Sequence, residues 1–379
     1  MNDKVKKIET SGIRKFHNKV SEVPGAISLT LGQPDFKTPN AINEAMIKAI
    51  NENKNGYTSN EGIEPLREEI SNYLKSKKID FNKDEICITA GGSEALYVTF
   101  QGLFNIGDKI LIPNPAFPAY KAIADILGLE VIEYDLNEEF MIDINKLKEL
   151  IKTNDIKGLI LSYPSNPTGA ILNEKLKEDL YEILKAEDIY IISDEIYAEL
   201  IYENEYLSLA QYEDMLEKII YISGFSKMFA MTGLRLGYVC AKKNILDSIS
   251  KVHQYNVSCA PSIVQWGALE GLKSSMDDVK IMRESFKERR NYCYNRLKAM
   301  GFSCSLPSGA FYIFPSIEKF NLSSEEFCTD LLNKEKIACV PGSAFGSRGD
   351  NNIRISYCYS MKELEMALDG IERWIEDKK

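Results

Sequence analysis

Seven short apolar runs recur between about residues 84 and 241: EICIT, KILIP, EVIEY, GLILSY, IYIIS, KIIYIS and LGYVCA. Each is the length of a strand and too short for a helix, and such runs mark strands buried on both faces. Amphipathic segments separate them. In NEKLKEDLYEILKAED, residues Leu176, Leu180, Ile183 and Leu184 fall on one helical face. Strand–helix alternation of this kind predicts an α/β fold with a mainly parallel sheet covered on both sides. After about residue 280 the pattern changes to a long polar helix, IMRESFKERRNYCYNRLKAM, then a few strands and a last helix, MKELEMALDGIERWIED. The expected organisation is an N-terminal arm and small-domain segment over 1–40, a large domain over 41–280 and a small α+β domain over 281–379. A chain of 379 residues with 44% hydrophobic content has material for two such cores.

Ligands of open α/β sheets collect at the carboxyl ends of the strands. Five of the seven runs are followed there by unusual loops: ITAGGSEAL, PNPAFP, YPSNPTG, SDEIY and SGFSK. One rim carrying five such loops predicts one site.

Composition narrows the chemistry. With 56 acidic and 46 basic residues the net charge is -10, and a phosphate backbone is repelled by such a surface, which argues against nucleic-acid binding. No apolar run reaches the roughly 18 residues of a membrane helix, and the N-terminus lacks the apolar centre of a signal peptide. Eight scattered cysteines without a Cys-x-x-Cys pair read as core thiols of a cytoplasmic protein. Only His17 and His253 are present, which argues against a Ser-His-Asp hydrolase or a histidine-rich metal site. No metal is expected. The chemistry must run on lysine, carboxylates, tyrosine or a borrowed cofactor.

Lys227 stands out because Phe225, Met228 and Phe229 surround it. Desolvation lowers an amine's pKa from about 10.4, and the neutral amine forms Schiff bases with aldehydes. The run SGFSKMFAMTGLRLGY, which also holds Arg235, resembles the cofactor-lysine segment of the class I and II aminotransferases, the fold-type-I pyridoxal phosphate enzymes. The resemblance implies that fold, with a seven-stranded, mainly parallel sheet in the large domain. It also implies that Lys227 binds pyridoxal 5′-phosphate covalently and that Arg235 grips its phosphate. One position departs from the pattern: many members carry a phosphate-binding serine where this chain has Gly224, with Ser223 and Ser226 as candidate replacements.

By the same resemblance, Asp194 pairs with the pyridinium nitrogen and Tyr197 donates its phenol to the ring oxygen. Asn166 bonds that oxygen too and helps orient the substrate carboxylate. Gly92 and Ser93 cradle the phosphate, and Phe117 stacks on the ring. Arg354 forms a two-pronged contact with the substrate α-carboxylate, which also meets the backbone of Gly32. Tyr57 reaches the phosphate in a neighbouring subunit, implying a homodimer with shared active sites. Catalysis falls to Lys227, Asp194 and Tyr197, and the substrates are small molecules, an amino acid and a 2-oxo acid, with neither nucleic acid nor membrane as a partner.

Further stretches, TSGIRKF, SDEIYAEL, KVHQYNVSCAPS, PSGAFYIFPSI and VPGSAFG, resemble the N-acetyl-LL-diaminopimelate aminotransferases of Gram-positive bacteria. Those serve lysine biosynthesis and exchange the amino group with glutamate and 2-oxoglutarate. Two alternatives remain open at this level. A carbon–sulfur β-lyase uses the same scaffold. A non-catalytic ligand sensor is disfavoured by Lys227, Asp194 and Arg235 occurring together, and by the little sequence before TSGIRKF.

Overall fold

A computed structural model describes residues 3–6, 8 and 10–378. After a short strand, β1 (Ile27–Ser28), seven strands build the central sheet: β2 (Ile86–Thr89), β3 (Lys109–Asn114), β4 (Glu130–Asp135), β5 (Ile156–Ser162), β6 (Tyr190–Asp194), β7 (Ile219–Gly224) and β8 (Gly237–Cys240). Their order is β2-β8-β7-β6-β5-β3-β4, and every pairing is parallel except those of β8, which runs antiparallel to β2 and β7. The expected mainly parallel, seven-stranded sheet is present.

The alternation of side chains along a strand explains why the central runs are apolar at successive positions, whereas the edge strand β4 leaves Glu130 and Glu133 exposed and is not buried on both faces. Ile86, Ile88, Leu111, Leu159, Leu161, Ile191 and Tyr221 point to one face, where they pack with Leu66, Ile70, Leu147, Leu176 and Leu180. Their neighbours Cys87, Ile110, Ile112, Ile160, Ile192, Ile220 and Val239 point to the other, against Leu96, Val98, Leu246 and Ile249. Each Leu or Ile fully buried in this way contributes about 1.5–3 kcal/mol of transfer free energy. Helix Glu174–Leu184 buries Leu176, Leu180 and Leu184, as its spacing predicts.

A second core gathers Phe16, Val20 and Leu29, then Tyr197, Leu200 and Tyr202, then residues from Met282 to Ile375. Its strands are short: β9 (Tyr312–Ile313), β10 (Ile337–Ala338), β11 (Val340–Pro341) and β12 (Ile353–Ser356). β12 lies between β11 and β9, while β10 pairs with β1 near the N-terminus. The long helix Met276–Ala299 joins the two cores, placing Val279 in the first and Met282 and Phe286 in the second. The last helix, Met361–Glu376, starts at a capping box of Ser360 and Glu363 and buries Leu364, Leu368, Ile371 and Trp374. No helix of the described residues is long and apolar enough to cross a membrane.

Candidate active site

The five rim loops meet. A cavity of about 240 Å³ is lined by Gly92, Ser93, Phe117, Asn166, Asp194, Tyr197, Ser226, Lys227 and Arg235, and β12 and the N-terminal segment add Arg354 and Gly32. Of the residues expected at the site, only Tyr57 lies elsewhere; it is 91% exposed.

Lys227 sits in the four-residue helix Phe225–Met228 that follows β7. Its amine donates to the Gly32 carbonyl at 2.5 Å. The rings of Tyr197 and Phe311 lie 5.9 and 5.7 Å from the nitrogen. Surrounding protein strips water from the amine and pulls its pKa down to about 8; the Arg354 and Arg235 charges act in the same direction. The desolvation inferred from the flanking aromatic residues is therefore present.

Asp194 ends β6, buried at the floor of the cavity. Its Oδ2 accepts from the Tyr120 hydroxyl at 2.6 Å and its Oδ1 from the Ile196 amide at 3.2 Å. Burial pushes this carboxyl above its ordinary range, against the opposing pull of those hydrogen bonds and of Lys227. A cation on this carboxylate offsets the cost of burying it. Tyr197 shares a 2.8 Å hydrogen bond with Tyr312, whose hydroxyl a Cβ at Gly32 would strike. Glycine at 32 is therefore a close-approach requirement.

Arg354 is 2% exposed. It donates to Asn166 Oδ1 at 2.9 Å and to the Thr30 carbonyl at 2.6 Å, and it stacks 4.4 Å from the Tyr312 ring centre. Its Nε is buried without a hydrogen-bond partner. A rigid guanidinium held on two sides with a donor to spare suits a carboxylate.

The opposite end is built for an anion. Helix Gly92–Leu103 starts at the cavity, which Gly92 and Ser93 line, after a turn at Gly91 where φ is +85°, and the unpaired N–H groups of a helix start favour an anion. The backbone conformation of Gly91 calls for glycine, and a Cβ there would also push against the tip of Arg235, 2.7 Å away. Arg235 itself adopts a left-handed φ of +55° and donates to Thr232 O at 2.9 Å. The departure at Gly224 has a steric cause: a Cβ there would lie 2.8 Å from Gly237 Cα and 3.0 Å from Leu236 O. Ser223 spends its hydroxyl on the Glu195 carbonyl at 3.0 Å, whereas Ser226 lines the cavity. Between the two candidate replacements, Ser226 is the one in position.

Two tyrosines that the sequence reading passed over complete the walls. Tyr120 carries the hydrogen bond to Asp194 and meets Phe117 edge-on at 5.7 Å. Tyr312 links Tyr197, Gly32 and Arg354. Tyr120 follows Phe117 by three residues, at the start of helix Ala119–Leu127 just after the PNPAFP loop, and that closeness in sequence was the available signal. Tyr312 had no such signal, because it arrives from the second core.

These residues fit pyridoxal phosphate. They offer a low-pKa amine for the aldehyde, a buried carboxylate for the ring nitrogen, an aromatic face, and a glycine-cleared anion cradle. Among the described residues no cluster of His, Cys, Asp or Glu is arranged to hold a metal ion.

Known proteins agree with this geometry. The family model described as aminotransferase class I and II matches residues 24–371. A Bacillus subtilis protein named probable N-acetyl-LL-diaminopimelate aminotransferase is 43% identical, over 100% of this chain and 96% of its own. An aspartate aminotransferase of Pyrococcus horikoshii is 38% identical, over 100% of this chain and 97% of its own. The crystal structure of an aromatic aminotransferase from Pyrococcus horikoshii superposes with a TM-score of 0.91 at 35% identity, covering 96% of this chain and 99% of that one.

Proposed function

We propose, because this chain belongs to the class I and II aminotransferase family, that it transfers the amino group of N-acetyl-LL-2,6-diaminopimelate to 2-oxoglutarate as a step of lysine biosynthesis. The chain is a transaminase and uses pyridoxal 5′-phosphate. The substrate assignment is carried by one observation, the 43% identity over the whole chain to the Bacillus subtilis relative. Relatives named for aspartate and aromatic amino acids share the same architecture, so the donor is what the test must decide.

When bound, the cofactor supplies an aldehyde that takes up the amino group and a ring that accepts electrons from the substrate Cα. The protein supplies the rest. Lys227 would hold the cofactor through its amine and, when free, would carry a proton between the substrate Cα and the cofactor, its pKa drawn down to about 8 by burial. Asp194 holds the ring-nitrogen proton, and Tyr120 orients Asp194. Tyr197 and Asn166 bond the ring oxygen. Arg354 and the Gly32 backbone bind the α-carboxylate, and Arg235, Ser226, Ser93 and the Gly92 helix terminus bind the phosphate. Phe117 stacks on the ring.

The assembly is a cytoplasmic homodimer in which Tyr57 of each copy reaches the other's phosphate. The exposure of Tyr57 and of nearby Ile47, Ile50 and Tyr255 supports a covering partner, and the absence of a disulfide among the eight cysteines fits a reducing compartment.

A screen of amino donors with 2-oxoglutarate tests the substrate. Glutamate formation is expected to be fastest with N-acetyl-LL-2,6-diaminopimelate; a higher kcat/KM with aspartate or phenylalanine reassigns the donor. Cystathionine alone is expected to give no pyruvate, whereas a lyase would release it. Arg354→Lys removes one prong of the carboxylate contact. A hydrogen bond to a charged group contributes about 1.5–3 kcal/mol, so KM for the amino acid is expected to rise about 10–100-fold with cofactor affinity unchanged. Titration of both ligands on the variant checks this.

A further inference from the structure

His253 is one of only two histidines in the chain, and the mechanism does not use it. It is 0% exposed in helix Lys243–Val257, behind the anion cradle. Its Nε2 lies 2.9 Å from the Asn60 carbonyl oxygen, and its Nδ1 lies 2.9 Å from Glu94 Oε1. A carbonyl only accepts, so Nε2 carries a hydrogen. Glu94 also accepts from Asn256 Nδ2 at 3.1 Å and, through Oε2, from the Ala90 amide at 2.5 Å. Burial raises the Glu94 pKa, but the His253, Ala90 and Asn256 hydrogen bonds and the His253 charge outweigh that and hold it below the usual range. Nδ1 and Oε1 cannot face each other at 2.9 Å as two bare acceptors, so one proton lies between them and the pair is neutral as a whole.

The position of Glu94 makes this pairing consequential. Its backbone belongs to the first turn of helix Gly92–Leu103, and its side chain folds back to clamp Ala90, the residue before the Gly91 turn. A bare carboxylate behind an anion cradle repels a phosphate dianion in a low-dielectric setting. On its other side His253 grips the segment that runs from Tyr57 to Gly62, to which Gln265 also donates at Thr58 Oγ1, 3.3 Å away.

We infer that His253 and Glu94 are positioning residues for the cofactor phosphate: Glu94 fixes the turn that cradles it, and His253, by sharing a proton with Glu94, keeps the pair neutral while anchoring the Tyr57 segment. This rests on the placement of the phosphate at the Gly92 helix terminus proposed above.

The test compares pyridoxal 5′-phosphate with pyridoxal, which has the aldehyde and ring but no phosphate. Dissociation constants are measured on the cofactor-depleted full chain by absorbance and protein fluorescence. Wild type is expected to prefer the phosphorylated form strongly; equal affinities would instead defeat the phosphate placement itself. His253→Leu leaves Glu94 uncompensated and is expected to weaken pyridoxal 5′-phosphate at least tenfold, with pyridoxal changed less than threefold. Adding Glu94→Gln to His253→Leu removes the stranded charge and is expected to recover most of that loss. If His253→Leu does not fold, His253→Gln, which hydrogen-bonds without a charge, is expected to show the same selective loss and the same recovery. Equal weakening of both aldehydes, or a double variant worse than the single one, overturns the inference, because a purely structural role predicts those outcomes.

Discussion

Lys227→Ala is expected to lower transamination turnover by at least about 10³-fold while leaving the fold and the cavity in place. General acid–base catalysis by a positioned group contributes about 10²–10⁴-fold, and this side chain serves at two atoms in one turnover. Among the described residues its amine donates to the Gly32 carbonyl, which keeps access to the cavity when the side chain is shortened. The phosphate cradle belongs to other residues, so cofactor is expected to remain bound, though no longer covalently. Borohydride reduction followed by peptide mapping checks the attachment: a label on Lys227 in wild type and none in the variant. A label on another lysine in wild type removes Lys227 from its role.

The same side chain sets a pH dependence. Only a neutral amine captures an aldehyde. With the pKa lowered by desolvation to about 8, the reactive fraction grows as pH rises through about 8, not through the ordinary lysine value near 10.4. The rate at which the cofactor-depleted chain takes up pyridoxal 5′-phosphate is expected to rise across pH 7–9 and then level off. A rate still climbing tenfold per unit above pH 9 would mean the amine is well solvated.

What the sequence made legible follows from where each signal resides. The central strands were readable because burial on both faces leaves apolar residues at every position, as in Ile219–Ile222. The loops were readable because turns after parallel strands need glycine, proline and asparagine at fixed places. The reversal of β8 left no mark, since an antiparallel strand buried on both faces has the same composition as a parallel one. Arg354 and Asn166 are 188 residues apart, and their 2.9 Å contact depends on how the second core docks. No local period encodes that. Tyr312 and His253 were hidden for the same reason. Gly224 was the opposite case: the sequence showed a missing serine, and the steric cause became visible only once Gly237 lay against it.

Asp194→Asn is the sharpest test of the electronic half of the mechanism, with an expected loss of about 10²–10³-fold in kcat, the range seen when one preorganised charge-stabilising group is removed from a site. The substitution conserves volume and most hydrogen bonds. The asparagine carbonyl still accepts from the Ile196 amide, and the Tyr120 hydroxyl, now facing an amide, can donate to Ser162 Oγ at 3.1 Å instead. What is lost is the negative charge. A neutral amide cannot hold a proton on the ring nitrogen, and an unprotonated ring draws electrons from Cα far less strongly. Cofactor affinity is expected to fall much less than kcat, because the phosphate end is anchored at Gly92 and Arg235. That split between turnover and binding, read by stopped-flow absorbance and equilibrium dialysis, separates an electronic role from a structural one. A variant retaining more than a tenth of wild-type turnover would place the proton's stabilisation elsewhere and leave Asp194 as a scaffold for Tyr120 alone.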